Sequence, residues 1–100
     1  DKKGDYDKAL EYYEKSYKID KIIYDDNPNH PDIATSLNNI GSVYDKKGDY
    51  DKALEYYEKS YEIYEKIYAD NPNHHSITTS LNNIGLSYKN KGDYDKALEY

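Results

Sequence analysis

The segment GDYDKALEYYEKSY begins at Gly4 and again at Gly48, and GDYDKALEY begins a third time at Gly92. This fixed step of 44 residues constrains the fold more than any other feature, because a period of roughly 20 to 50 residues marks stacked repeat architectures. When residues 1–44 are set against 45–88, mismatches fall only where positions 18, 20, 21, 22, 25, 31, 32, 34, 42 and 43 meet their counterparts. Every unit is therefore expected to build the same supersecondary structure.

Within one unit, Ile33, Leu37, Ile40, Gly41 and Tyr44 recur at helical spacing, which predicts an amphipathic helix, here helix A, over residues 33 to about 46. Lys47-Gly48-Asp49 then punctuates the chain. Gly48 supplies the permissive backbone after helix A, Asp49 can cap the next helix, and Asp51 sits at its positive dipole end. From Tyr50 to about Tyr68 the positions Tyr50, Ala53, Leu54, Tyr57, Tyr61, Tyr64 and Tyr68 again recur at three and four. Glu55, Glu58, Lys59, Glu62 and Glu65 mostly face water. This second helix, helix B, is broken by Asp70-Asn71-Pro72-Asn73-His74, where Pro72 lacks a donor and pushes Asn71 out of helical geometry. A new helix A is expected near Ile77.

A hairpin of two amphipathic helices cannot cover its own apolar stripe, so successive hairpins must stack. Gly41, Gly85, Ala53 and Ala97 are the small residues expected where stacked backbones approach. A mid-helix glycine costs roughly 1 kcal/mol against alanine, so its recurrence at one phase of helix A points to close packing, and Gly41→Leu should disrupt it.

Composition narrows the function classes. Fifteen tyrosines with no Phe, Trp or Met imply an interior built largely from phenol rings. A net charge of −6 without a lysine stripe disfavours nucleic acid as a ligand. The absence of cysteine removes disulfides, zinc thiolates and thiol catalysis, and leaves the cytosol as the default compartment. There is no apolar stretch near the roughly 20 residues of a membrane span, no signal-peptide pattern and no Asn-x-Ser/Thr acceptor, so neither membrane nor modification is expected. All basic residues are lysine, and Lys, Asn, Ile, Tyr and Asp dominate, which suggests an AT-rich coding sequence.

These residues resemble the tetratricopeptide repeat, whose pattern runs large apolar, Leu-Gly, Tyr, Gly, Ala, aromatic, small residue and closing Pro. Leu37, Ile40-Gly41, Tyr44, Gly48-Asp49-Tyr50, Ala53, Tyr57 and Ser60 fill it in the complete repeat; Leu81, Ile84-Gly85, Tyr88, Gly92, Tyr94 and Ala97 begin it again. The bulky first position is Leu37 or Leu81, and the closing proline falls late, at Pro28 and Pro72, which lengthens helix B. The period and the ATSLNNIG and NPNHPD segments look like the longer repeats of kinesin light chains. The resemblance implies an all-α fold, a right-handed superhelical solenoid of antiparallel hairpins. Residues 1–32 would be a partial repeat, 33–76 a full repeat and 77–100 a truncated one, all within one array segment.

The resemblance further implies a protein-interaction scaffold that holds a peptide or partner segment in a concave groove lined by helix A. Mapped residue by residue, the groove positions are Thr35, Asn38, Asn39, Ser42, Asp45 and Lys46, then Thr79, Asn82, Asn83, Leu86, Lys89 and Asn90. Asn39 and Asn83 stand where relatives carry asparagines that bond a ligand's main chain, since an amide both donates and accepts; solvated or carbonyl-capping asparagines are the alternative. Asn38 and Asn82 occupy the place of the first lysine of a carboxylate clamp, so that clamp is incomplete.

Catalysis and cofactors are not expected. The carboxylates follow a repeated, solvent-facing pattern, and there is no Ser-His pairing and no phosphate loop. His30, His74 and His75 fall in equivalent loops with no i, i+4 partner, so they are expected to be solvated, with His74 and His75 pointing apart and no metal held. The tyrosine ladder admits an aromatic cage, but tyrosine at helical spacing reads first as core. The chain opens with most of a turn plus helix B and closes eight residues after Gly92, as a segment of a longer array would. Head-to-tail or swapped self-association is the alternative to peptide binding.

Overall fold

The computed structural model describes residues 2–71, 74–93, 96 and 99 of the chain, with side chains from Gly4 onward. Among these residues there are four helices and no strand: α1 (Lys2–Ile23), α2 (Pro31–Lys47), α3 (Tyr50–Ile67) and α4 (His75–Lys91). The helices α2 and α4 are the two copies of helix A, and α1 and α3 are the two copies of helix B. Pro72, Asn73, Tyr94, Ala97 and Tyr100, which the sequence reading uses, lie outside the described residues.

The termini obey local rules. Gly48 and Gly92 take the left-handed conformation, with φ of 85° and 100°, and the Gly48 N–H donates to the carbonyls of Tyr44 and Asp45. A side chain would be strained in that geometry, so glycine ends each helix A. Asp49 then caps α3 by accepting from the Lys52 N–H at 3.3 Å. Both copies of helix A begin two residues before the apolar stripe does, at Pro31 and His75. The reason is an unforeseen cap: the Nδ1 atoms of His30 and His74 accept from the N–H groups of Asp32 and Ser76, each at 3.1 Å.

These caps correct the solvated-loop reading of the histidines. His30 stacks on Tyr24 with ring centroids 3.6 Å apart, and His74 stacks on Tyr68 at 3.7 Å. His74 and His75 do not point apart; their rings lie 5.8 Å from each other at 25°. Stacking on an aromatic face holds each imidazole where its acceptor nitrogen meets the helix start.

Each helix packs on the next, α1 on α2, α2 on α3 and α3 on α4. The thinnest dimension, 17 Å, is that of two helix layers. Leu10, Ile40 and Val43 form one apolar cluster where α1 meets α2, and Ala53, Leu54, Tyr57 and Ile84 form a second where α3 meets α4. The same contact recurs one period apart in the ion pairs Lys47–Asp7 at 2.9 Å and Lys91–Asp51 at 2.6 Å.

The expected phenolic interior is replaced by an aliphatic one. Among the described residues Tyr57 is the one tyrosine in the buried core, which is otherwise Leu, Ile, Val and Ala. Tyr6, Tyr17, Tyr44, Tyr56, Tyr61 and Tyr88 sit half-buried around the clusters, and the hydroxyls of Tyr24 and Tyr88 donate to Asp32 at 2.8 Å and Glu58 at 3.1 Å. A phenol hydroxyl is costly to bury without a partner, so the ring edge stays near water. Glu58 is accordingly half-buried rather than fully solvated.

Gly41 marks a close approach, but inside a hairpin rather than between stacked hairpins. A Cβ there would lie 2.9 Å from the Tyr57 ring and 3.2 Å from the Ala53 carbonyl oxygen, both on α3. Ser60, fully buried, ties the same pair by donating to the Ala34 carbonyl at 2.8 Å. Glycine is therefore what lets α2 and α3 close on each other.

Candidate functional site

The residues that the stripe of helix A leaves over lie on α2 and α4 at the surface. Thr35, Lys46, Thr79, Asn82, Leu86 and Asn90 are exposed, and Asn38, Asn39, Ser42 and Asn83 are half-buried. The two helices meet on this face through an amide pair: Asn83 Nδ2 donates to Asn38 Oδ1 at 3.2 Å. Asn39, the counterpart of Asn83 one period back, stands outside that bond.

Further along the face the polar groups are crowded. The Asp45 carboxyl is pushed above the usual carboxylate range by burial, although Asn90 and Ser87 lie close enough to favour its charged form. Its Oδ1 and the Ser87 Oγ are both buried without meeting hydrogen-bond geometry to any partner among the described residues. Beneath them, burial first and then the negative charge of Asp45 push the Tyr57 phenol up to about 12, against a weaker opposing bond with Ser42. Ser42, Asp45, Asn90 and Tyr57 thus lie close together in one polar layer. Lys46, one residue away, makes no ion pair among the described residues.

At the other end of the face lies a cavity of about 230 Å³ lined by Asn38, Tyr64, His75, Ser76, Thr79 and Ser80. Asn38 and Thr79 were expected on the groove; Tyr64, His75, Ser76 and Ser80 were not assigned to it. Tyr64 reaches across to α2, its hydroxyl 3.1 Å from Thr35 Oγ1. The signal that marks this region is the list of mismatches between repeats, since Tyr64, His75 and Ser76 replace Asp20, Pro31 and Asp32. Chemically, the face offers amides, hydroxyls, one imidazole, the Asp45 carboxyl and the Lys46 ammonium. These can hydrogen-bond a partner, but no two are paired as nucleophile and base.

No group of three or more His, Asp or Glu side chains among the described residues is arranged to hold a metal ion. No described helix is long and apolar enough to cross a membrane. A family profile of the tetratricopeptide repeat matches residues 2–66, and a second profile of that repeat matches residues 78–100. No curated protein matches the chain.

Proposed function

Because the chain belongs to the tetratricopeptide repeat family, whose repeats mediate protein–protein interaction, we propose that it holds an extended peptide segment of a partner along the shared face of α2 and α4. The observation that carries this reading is the row of half-buried amides at Asn38, Asn39 and Asn83. One donor of Asn83 and one acceptor position of Asn38 serve the bridge between the helices. The Asn39 amide and the rest of the Asn83 group are left to donate and accept toward a main chain. Thr35, Ser42, Lys46, Thr79, Asn82, Leu86 and Asn90 flank the row. Repeats over residues 1–32, 33–76 and 77–100, a non-enzymatic scaffold role and a cytosolic setting belong to the same proposal, with neither nucleic acid nor membrane as the partner.

The test is a peptide-library screen of the chain against the double variant Asn39→Ala with Asn83→Ala. Peptides bound by the parent and lost by the variant, at unchanged helicity, support the groove; bound peptides indifferent to the change remove it.

A second reading, association of copies end to end, is favoured by the apolar side chains that α1 leaves uncovered: Tyr12, Ile19, Ile22 and Ile23 are 55–77% exposed. In a longer array a preceding helix would cover them. For this chain, a mass that rises with concentration in analytical ultracentrifugation supports association, and a monomer mass at every concentration counts against it.

A further inference from the structure

Both copies of helix A start from a histidine cap, but the groups around the two caps differ. Each cap needs a neutral imidazole, because Nδ1 of His30 accepts from the Asp32 N–H and Nδ1 of His74 from the Ser76 N–H, each at 3.1 Å. The single ring proton is therefore on Nε2. A second proton would sit on Nδ1 and set donor against donor, at the positive end of a helix. Imidazole is the side chain that ordinarily changes charge between about pH 5 and 8.

The two starts are equipped differently for that charge. At α2, Asp32 lies in the first turn, its Oδ2 3.8 Å from His30 Nδ1 and accepting from the Tyr24 hydroxyl. A charged His30 exchanges its cap for that ion pair, and Asp32 offsets the helix dipole. Pro31 at the head of α2 also fixes a backbone angle that suits a helix. At α4 the counterparts of Pro31 and Asp32 are His75 and Ser76, so the first turn carries no acid. The His74 ring has Tyr68 stacked on it at 3.7 Å and the His75 ring 5.8 Å away. The packed element α3 adds Tyr64, which stacks on Tyr68 at 6.1 Å. Glu65 and Asp70, the acids nearest in sequence, make no ion pair with His74 or His75 among the described residues. Acid puts two like charges side by side at α4, where α2 gains an attraction.

We infer that the start of α4 is an acid-sensitive part of the binding face: protonation of His74 and His75 releases its first turn, while the start of α2 holds. The capped turn binds fewer protons than the released one, so it weakens as pH falls. His75 and Ser76, both in that turn, line the cavity of about 230 Å³ at this end of the face. Release of the turn removes that wall, and a partner held along the face is let go in acid. This last consequence rests on the groove reading; the release of the turn does not, and is measured without a partner. Asp45, toward the other end of the face and raised by burial, also takes up a proton in acid, and a variant at His74 separates the two events.

The experiment takes the isotope-labelled full chain from about pH 8 to about pH 5, with histidine ring shifts reporting protonation and Cα shifts reporting helix. The expected result is a loss of helical shift at Ser76, Ile77 and Thr78 that tracks protonation of His74, while Asp32, Ile33 and Ala34 keep theirs. The ratio of closed to open turn should fall by about fivefold, the factor of one N-cap. His74→Asn, a cap without a titrating ring, should hold the α4 shifts flat over the same range. Ser76→Asp, which gives α4 the acid that α2 has, should reduce the loss. A peptide from the library screen should bind the parent more weakly in acid by a similar factor, and His74→Asn should remove that dependence. Helical shifts that survive a protonated His74, an equal loss at both starts, or a loss that persists in His74→Asn would overturn the inference, whether or not any peptide binds.

Discussion

The helices α1 and α3 share twelve consecutive residues, from Tyr6 to Tyr17 and from Tyr50 to Tyr61, yet the shared residues are not buried alike. Tyr57 on α3 is 3% exposed, and its counterpart Tyr13 on α1 is 37% exposed. Ser60 is fully buried on a carbonyl of α2, whereas Ser16 faces water. Leu10 and Leu54, by contrast, are buried to the same degree. The difference follows the neighbours. Each leucine points to the helix that follows it, α2 or α4, and both helices have one. The tyrosine and serine point to the helix that precedes, and among the described residues only α3 has that neighbour. Local sequence thus makes the helix, and stacking decides which of its faces becomes core.

The largest expected effect breaks this comparison directly. Tyr57→Ala should cost about 3–5 kcal/mol, the range for emptying a buried aromatic site, while Tyr13→Ala should cost no more than about 1 kcal/mol. Chemical denaturation followed by circular dichroism measures both, and equal losses would remove the neighbour account.

The same ring sets an alkaline limit. Its folded value of about 12 lies above the ordinary 10.0, so the neutral phenol is favoured in the folded state. The associated stability is complete below pH 10 and is lost as pH rises toward 12, by roughly 2–3 kcal/mol. Tyr57→Phe should flatten the decline between those limits, and an unchanged decline would remove the account.

Gly41→Leu comes next. The new side chain meets the Tyr57 ring and the Ala53 carbonyl, and overpacking of about 1–3 kcal/mol is offset in part by roughly 1 kcal/mol of regained helix propensity. A net loss of up to about 2 kcal/mol is expected, with α2 and α3 prised apart. Thermal melts of Gly41→Leu in the Tyr57→Ala background sharpen the point, since an emptied ring site should absorb the leucine.

The smallest effect is a gain. The raised Asp45 carboxyl favours the protonated form in the fold, so stability rises as pH falls through its folded value, and the charged form is a penalty at neutral pH. Asp45→Asn should raise the melting temperature slightly at pH 7, by less than about 1 kcal/mol of stability, and the advantage should shrink as the medium is acidified.

Much of this arrangement was legible in the sequence because it is periodic. The 44-residue step, the Gly48-Asp49 turn and the stripe through Ile33, Leu37 and Ile40 each follow from one local rule, and the helices form where those rules place them. Properties that depend on two repeats at once were hidden. The bond from the Asn83 amide to Asn38 joins two helices A, and no single repeat encodes it. The histidine caps were missed because imidazole is a rare N-cap, and only the stacking of Tyr24 and Tyr68 aims it. The phenol-rich composition misled because it counts rings without saying that their hydroxyls hold them at the rim. The cavity beside Ser80 was marked by differences between repeats, which a search for similarity passes over.

Hydrogen exchange on the amides of residues 10–17 against residues 54–61 tests the central claim most directly, because both stretches lie inside their helices and identical sequences have identical intrinsic rates, so any difference in protection comes from packing. Protection in α3 that exceeds α1 by orders of magnitude is the predicted result. Equal protection in the two helices would mean that helix stability resides in the segment itself, and would contradict the claim that adjacent repeats supply it.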